Sequence, residues 1–244
     1  MQLGIFPMGG EGRRFNVRKF GEPKPFIKIF GRTQLEWSVM SCRKNFPEAK
    51  IVIGYRSGLK AHSLEFVERS IKELGVNIEA IDIGQSTLGA AHSVALVLNK
   101  FRVPNEDFEF FVLDNDVAIE LSTESHFQDC AAGLVTSEST NPSHSFVIYD
   151  EQKLVSAIEE KIVISKNGVV GNYFFKSAIE FLDHYKRLPP QSGERYISGI
   201  VKSYLSDNLP VSAESALHVC SFGTPEELTS LSPESFKFLG VDRG

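Results

Sequence analysis

Two short segments near the start of the chain have residues suited to binding an anion. Gly9, Gly10 and Gly12 directly follow the apolar run Leu3–Met8, and Pro23-Lys24-Pro25 comes shortly afterwards. Glycines after a strand let the backbone turn sharply and point its N–H groups at a ligand. The two prolines fix the backbone around the lysine. The spacing therefore predicts a phosphate-type site made of backbone N–H groups and a rigidly held cation.

Two familiar glycine-rich motifs are excluded. The sequence contains no G-x-x-x-x-G-K-[ST] segment, so the loop is not a P-loop. Gly10 and Gly12 begin a G-x-G, but Phe15 stands where the dinucleotide-binding motif requires its third glycine. The loop must therefore be interpreted together with the rest of the chain.

A second candidate for chemistry is the acidic segment after the apolar run Phe108–Leu113. Carboxylates at the carboxyl end of a strand lie where α/β sheets bind their ligands, and carboxylate oxygens suit Mg²⁺ or Mn²⁺. Asp116 is the first candidate metal ligand. Asp114 lies two residues earlier, so it either points to the same face of a continuing strand or caps a turn.

The charge distribution also indicates a local anion site. The first 60 residues hold 12 Lys and Arg against four Asp and Glu, whereas the remaining 184 hold 14 against 27. Five of those basic residues lie between Arg13 and Lys24. A basic first quarter on an otherwise acidic chain favours a small anionic substrate over nucleic acid as the partner.

Composition excludes several other classes. With 42% hydrophobic and 23% charged residues, the chain has the make-up of an ordinary folded protein. The apolar runs are much shorter than the roughly 20 residues that cross a bilayer, so we expect no membrane insertion and no signal peptide. Cys42, Cys130 and Cys220 show no C-x-x-C spacing, which favours reduced thiols and a cytoplasmic protein over a zinc site.

Strand-like and helix-like segments alternate along the first half, which is typical of a mostly parallel sheet with crossover helices. We expect strands at about 3–6, 51–54, 78–83, 108–113, 132–136, 145–149, 154–161, 169–175 and 217–220. We expect helices from the Thr33/Glu36 capping box to about Asn45, at about 59–74, 89–99, 177–187 and 194–206, and from the capping box at Thr224. In the second helix, Leu64, Val67, Ile71 and Leu74 share one face. The predicted fold class is α/β, a Rossmann-like, mostly parallel sheet sandwiched by helices, in a single domain over 1–244.

The glycine loop resembles the first loop of the sugar-phosphate nucleotidylyltransferases, which reads roughly G-G-x-G-[ST]-R-[FL] and is followed by P-K-P. The corresponding segments here are Gly9–Phe15 and Pro23-Lys24-Pro25. Further short matches follow in the same order along nearly the whole chain. They are Gly84-Gln85, Gly89-Ala90-Ala91, Val112–Asp116, Glu160-Lys161, Gly171–Phe175 and Gly223-Thr224-Pro225-Glu226-Glu227. The resemblance implies the nucleotide-diphospho-sugar transferase fold, with a nucleotide-binding half at about 1–120 and an acceptor-binding half at about 121–244.

The resemblance also implies roles for individual residues. Lys24 would contact the α-phosphate and the incoming phosphate, Arg14 the β- and γ-phosphates, and Asp116 the catalytic Mg²⁺ or Mn²⁺, with Asp114 as a less certain second ligand. The nucleotide would be bound by Met8, Gly9, Gly10, Gly12, Arg13, Gln85 and Gly89. The acceptor would be bound by Glu160, Lys161 and Gly171.

The chain departs from the family pattern at two positions. Arg13 replaces the usual Ser or Thr in the loop, either adding affinity for phosphate or lying exposed. Ser221 stands where many members carry an aspartate two residues before G-T, which leaves the second metal ligand unassigned.

The expected reaction transfers NMP from CTP, UTP or dTTP to a phosphorylated small molecule and releases pyrophosphate. A sugar 1-phosphate is the first expected acceptor, for precursors of cell-surface polysaccharides. Phosphocholine-like or phosphorylated amino-acid acceptors are an alternative. A metal-dependent glycosyltransferase and an inactive nucleotide-sensing subunit are two further alternatives, and a homodimer is left open.

Overall fold

The computed structural model describes residues 1–12, 15, 20–101, 106–122, 127, 129–189 and 193–240. The strands are β1 (Gln2–Met8), β2 (Lys28–Ile29), β3 (Arg32–Thr33), β4 (Lys50–Tyr55), β5 (Ile78–Asp82), β6 (Glu109–Leu113), β7 (Val117–Glu120), β8 (Ala132–Glu138), β9 (Ser145–Tyr149), β10 (Val155–Glu160), β11 (Asn167–Phe175), β12 (Val211–Ser215) and β13 (His218–Ser221). The α-helices are α1 (Gln34–Asn45), α2 (Lys60–Arg69), α3 (Ala90–Lys100), α4 (Ala178–Arg187), α5 (Ile197–Ser206) and α6 (Pro225–Ser230).

One large sheet runs through both halves of the chain. Within the described residues it has nine strands, in the order β10-β9-β11-β6-β1-β4-β5, with β8 beside β11 and β12 beside β8. The pairs β6-β1, β1-β4 and β4-β5 are parallel, as the alternating pattern predicts. Strand β11 pairs antiparallel with β6, and this pairing joins the two halves into one sheet.

Helices cover both faces of this sheet. Side chains in β6 alternate between the two cores: Phe110 and Val112 pack with α3, α4 and α5, whereas Phe111 and Leu113 pack with α1 and α2. The fold class is therefore α/β, with helices on both sides of the sheet. No helix among the residues described here is both long and apolar enough to cross a membrane.

The two capping boxes are correctly predicted by the sequence. At α1 the Thr33 side chain accepts from the Glu36 backbone N–H while the Glu36 side chain accepts from the Thr33 N–H, and Thr224 and Glu227 do the same at α6. Each box satisfies two backbone donors that the helix start would leave unpaired. The start of each of these two helices is therefore set by side chains within three residues of it.

Two expectations about elements are wrong, and some strands are not anticipated. Strands β7 and β12 are not anticipated, because their pairing with β13 and β8 involves residues distant in sequence. The helix expected from Glu194 begins at Ile197, because the preceding residues are extended and pack against another loop. In α2, Leu64 is 47% exposed, whereas Val67 packs against the core as expected, beside the buried Ser63 and Phe66.

Candidate active site

A cleft opens where the carboxyl ends of β1 and β6 meet residues of β10 and β11. We call it the main cleft. Its lining residues include Met8, Gly10, Gly12, Lys24, Asp114, Asp116, Ser145, Glu160, Gly171, Tyr173, Tyr196, Ser221, Gly223 and Glu227. The strand ends of an α/β sheet are where such folds bind ligands, because the loops that follow the strands converge there.

Lys24 and Asp116 meet in this cleft. Lys24 opens the short 3₁₀ turn Lys24–Phe26, and its ammonium donates to Oδ2 of Asp116 and forms an ion pair with it. The two side chains are 15% and 24% exposed, so the pair is largely shielded from solvent. The Lys24 ammonium also lies 5.2 Å from the centre of the Phe15 ring. The cation and the strand-end carboxylate predicted from the sequence therefore share one site.

The C-terminal segment forms the wall beside Asp116. Ser221 is the last residue of β13 and pairs with Val117, and the Phe222 N–H donates to the Asp116 carbonyl at 2.9 Å. A Cβ added to Gly223 would lie 2.9 Å from Asp116 Oδ2. Glycine at this position thus lets the backbone lie close to the carboxylate, where a side chain would crowd it. The oxygen donors that line this part of the cleft, Asp116, Ser221 and Glu227, are of the kind that a hard cation such as Mg²⁺ prefers.

No group of three or more His, Cys, Asp or Glu side chains suited to holding a metal occurs in the part of the chain that the structure describes. A metal ion here would therefore be held by one or two carboxylates together with substrate phosphates and water. This is the usual arrangement for Mg²⁺ at nucleotides.

The opposite wall carries carboxylates and hydroxyls. The Asp114 backbone N–H donates to the Gly171 carbonyl at 3.0 Å, and a Cβ on Gly171 would lie 2.0 Å from Asp114 Oδ2. Gly171 also has a left-handed φ of 71°, so glycine is required here by both backbone and space. Burial raises the pKa of the Tyr173 hydroxyl, and the nearby charges of Asp114 and Glu160 raise it further.

Glu160 is held in place by hydroxyl groups. Its Oε2 accepts from Ser198 Oγ at 2.7 Å and also from Ser145 Oγ. Lys161 has a left-handed φ of 58°, and its ammonium donates to the Tyr196 hydroxyl and lies 4.4 Å from the centre of that ring. The hydrogen bond to Tyr196 raises the pKa of Lys161. Tyr196 in turn donates to Glu194 Oε2 at 2.6 Å.

A side cleft adjoins the main cleft at Gly10, Gly12 and Lys24, and its far wall is formed by Ser86–Gly89, Gly193 and Glu194. Gly89 has a φ of 132°, and a Cβ there would lie 2.5 Å from the Arg195 carbonyl oxygen. The Arg195 N–H donates to the Leu88 carbonyl, and the Ala91 N–H donates to the Arg195 carbonyl. Gly89 therefore lets a segment of the second half pack directly on this loop.

Several predicted residues lie elsewhere. Gly9 is absent from the described lining of both clefts. It faces the side chains of Ser93 and Thr87, and the Thr87 backbone N–H donates to the Gly9 carbonyl at 3.1 Å. Gln85 is exposed and lies beside the side cleft rather than in its described lining. Lys161 is not in the described lining of the main cleft, but its ammonium donates to the hydroxyl of Tyr196, which does line it. Arg13 and Arg14 lie outside the described residues.

Other cleft residues are not singled out by sequence reasoning, notably Ser145, Glu194 and Tyr196. Glu227 and Tyr173 lie in the family-like segments Gly223–Glu227 and Gly171–Phe175, but sequence reasoning assigns neither of them a role in the site. The extended segment before α5 carries Glu194 and Tyr196, and no local pattern predicts that this segment packs on the Gly89 loop.

Comparison with solved structures identifies the fold of this chain. The chain superposes on a nucleoside-diphosphate-sugar pyrophosphorylase from Vibrio cholerae RC9 with a TM-score of 0.83, at 21% identity, covering 96% of this chain and 100% of the other. The fold is that of the sugar-phosphate nucleotidyltransferases. No protein-family model matches the sequence, and no curated protein matches it by sequence.

Two further structures agree with this nucleotidyltransferase fold. The inositol-1-phosphate CTP transferase from T. maritima matches with a TM-score of 0.73 at 16% identity, covering 98% of this chain and 94% of the other. A Bacillus anthracis protein assigned as a glucose-1-phosphate thymidylyltransferase, solved with sucrose, matches with a TM-score of 0.76 at 18% identity, covering 100% and 98%. These neighbours extend over the whole chain, so the likeness concerns both halves of the sheet.

Proposed function

We propose that this protein transfers NMP from a nucleoside triphosphate to a phosphorylated, hydroxyl-bearing small molecule and releases pyrophosphate. The observation that carries the proposal is the convergence of Lys24, Asp116 and the Asp114–Glu160–Tyr173 wall in one cleft of a nucleotidyltransferase fold. One side of this cleft suits phosphates and the other suits hydroxyl groups.

The chemistry asks for positioning and charge stabilisation rather than a strong base. The acceptor phosphate is already an anionic nucleophile, so no Ser/His pair is needed. The enzyme must hold two anions in line and stabilise the charge on the α-phosphate and on the departing pyrophosphate. Gly10 and Gly12 offer backbone N–H groups, and Lys24 supplies the cation between the main and side clefts.

A divalent cation, Mg²⁺ or Mn²⁺, would be held by Asp116 and would neutralise phosphate charge when bound. Asp114 is the weaker candidate ligand, because its carboxylate lies against the backbone of Gly171. In this proposal Asp114 instead accepts hydrogen bonds from hydroxyl groups of the acceptor.

The acceptor wall favours a sugar 1-phosphate or a cyclitol phosphate. Glu160, Asp114 and the Tyr173 hydroxyl offer hydrogen-bonding groups that suit a ring with several hydroxyls. Choline recognition uses aromatic rings whose faces receive the quaternary ammonium. In this structure the Lys161 ammonium lies over the Tyr196 ring and takes the place that a choline ammonium would need. Phosphocholine is therefore ranked second, after a sugar or cyclitol phosphate.

The nucleotide base is proposed to bind in the side cleft, beside Ser86, Thr87 and Gly89. A pyrimidine nucleotide, CTP, UTP or dTTP, is the first choice, with Gln85 at the rim as a further contact. The proposed product is an activated sugar for the cytoplasmic assembly of surface polysaccharide precursors.

A pyrophosphate-release assay tests the proposal directly. ATP, GTP, CTP, UTP and dTTP are each incubated with hexose 1-phosphates, inositol 1-phosphate, phosphocholine and phosphorylated amino acids, with Mg²⁺ or Mn²⁺ present. Pyrophosphate release that requires both substrates is the expected result. Release of free nucleoside diphosphate from a nucleotide sugar would favour the glycosyltransferase alternative. NTP binding without turnover against any acceptor would favour the sensing subunit.

A further inference from the structure

The wall beside Asp116 contains a second carboxylate, to which the family resemblance assigns no role as a metal ligand. Glu227 lies in the first turn of α6 and lines the main cleft together with Asp116, Ser221 and Gly223. The position that carries an aspartate in many members is Ser221, whose hydroxyl is a neutral and weaker ligand for a hard cation than a carboxylate. Glu227 therefore offers a negative charge in the region where this chain lacks the expected one.

Gly223 brings the two carboxylates to a common space. A Cβ added to this glycine would lie 2.9 Å from Asp116 Oδ2 and 3.4 Å from Glu227 Oε2. The backbone of Gly223 is not left-handed, so glycine is required here for space rather than for conformation. Both carboxylates border the small volume that a larger residue would fill.

The capping box fixes the direction of the Glu227 side chain. Glu227 Oε2 accepts from the Thr224 N–H at 2.9 Å, and Thr224 Oγ1 accepts from the Glu227 N–H at 3.2 Å. The box turns the side chain back toward Gly223 and leaves Oε1 outside the capping bond. Asp116 already holds a cation, the Lys24 ammonium, which shows that positive charge is stabilised at this position.

We infer that Glu227 supplies the second carboxylate for a divalent cation bound at Asp116, in place of the aspartate that Ser221 replaces. The inference rests on the proposed function, because the cation it concerns is the one that would accompany the NTP. In this inference the second carboxylate comes from the first turn of α6 instead of the end of β13, across the space above Gly223.

Mn²⁺ binding measured by electron paramagnetic resonance tests this without turnover. Glu227→Gln is the informative variant, because glutamine keeps the capping box and removes only the charge. The exposed neighbour provides a matched control, Glu226→Gln, and Asp116→Asn is the positive control. We expect Glu227→Gln to raise the Mn²⁺ Kd about tenfold or more, since even the partners of metal ligands contribute about 10–100-fold to affinity.

A charge swap makes the test specific to position. Ser221→Asp combined with Glu227→Gln returns the carboxylate to the family position and should restore Mn²⁺ affinity. Equal Mn²⁺ Kd values for Glu227→Gln and Glu226→Gln would overturn the inference. Pyrophosphate release is assayed separately, so a failure of the proposed reaction would be seen independently of the Mn²⁺ result.

Discussion

Lys24 is the side chain on which the proposed chemistry depends most. Its ammonium is paired with Asp116, and the residue lines both clefts, so it lies where the two clefts adjoin. A cation that acts on charge developing in the transition state is worth about 3–4 kcal/mol, or a few hundredfold in rate.

We therefore expect Lys24→Ala to lower kcat/KM a few hundredfold while the protein stays folded. The exposed Lys28 provides the control variant, Lys28→Ala, which should retain activity. Steady-state kinetics with both substrates, alongside circular dichroism, gives the answer. Near-wild-type turnover in folded Lys24→Ala would remove this lysine from the mechanism.

Gly89 illustrates how one residue connects elements. Its φ of 132° and the Arg195 backbone that packs against it leave no room for a side chain. Gly89→Ala should lower the free energy of unfolding by about 1–3 kcal/mol from backbone strain alone. Urea denaturation measures this change.

Gly10→Ala is the matched control for the Gly89 variant. Its backbone is not left-handed, and no described atom lies within 4 Å of the added Cβ. The free energy of unfolding should change by at most about 1 kcal/mol. Equal stabilities for the two variants would contradict the packing argument at Gly89.

His184 links helices α4 and α5. It is 1% exposed, and its Nδ1 lies 2.7 Å from Ser203 Oγ. Burial lowers the pKa of His184, and the Arg187 charge lowers it further. Below the ordinary value of about 6.5, the unfolded chain takes up a proton that the folded protein resists.

The free energy of unfolding should therefore fall as the pH drops from 7.5 to 5.5, and His184→Gln should reduce that fall. His218, which is exposed, supplies the control variant His218→Gln. Urea denaturation at both pH values measures the difference. An unchanged pH dependence in His184→Gln would show that this histidine does not contribute to it.

Capping explains why some elements are predictable and others are not. Thr33 with Glu36, and Thr224 with Glu227, act on backbone groups within three residues, so the sequence locates these helix starts correctly. By contrast, β12 exists because it pairs with β8, and the inward face of α2 is decided by what lies beneath it. Likewise, the approach of Arg195 to Gly89 depends on the folding of the whole second half.

At the scale of the whole molecule, the sheet and the C-terminal segment tie the two halves together. The β6–β11 pairing crosses between the halves, and Trp37 of α1 stacks on Phe236 with ring centres 4.0 Å apart. Trp37 is the only tryptophan in the sequence, so its fluorescence reports this contact. We expect unfolding monitored by Trp37 fluorescence and by far-UV circular dichroism to share one midpoint. Separate midpoints would mean that the C-terminal segment detaches before the sheet unfolds.

The pairing of Lys24 with Asp116 has a consequence for which anions the protein selects. Because the two charges offset each other, a phosphate that arrives alone must compete with Asp116 for Lys24. A phosphate that arrives with a divalent cation presents Asp116 with a new partner and releases Lys24 at the same moment. In the proposed reaction, the cleft should therefore bind metal-complexed NTP in preference to metal-free inorganic phosphate and pyrophosphate.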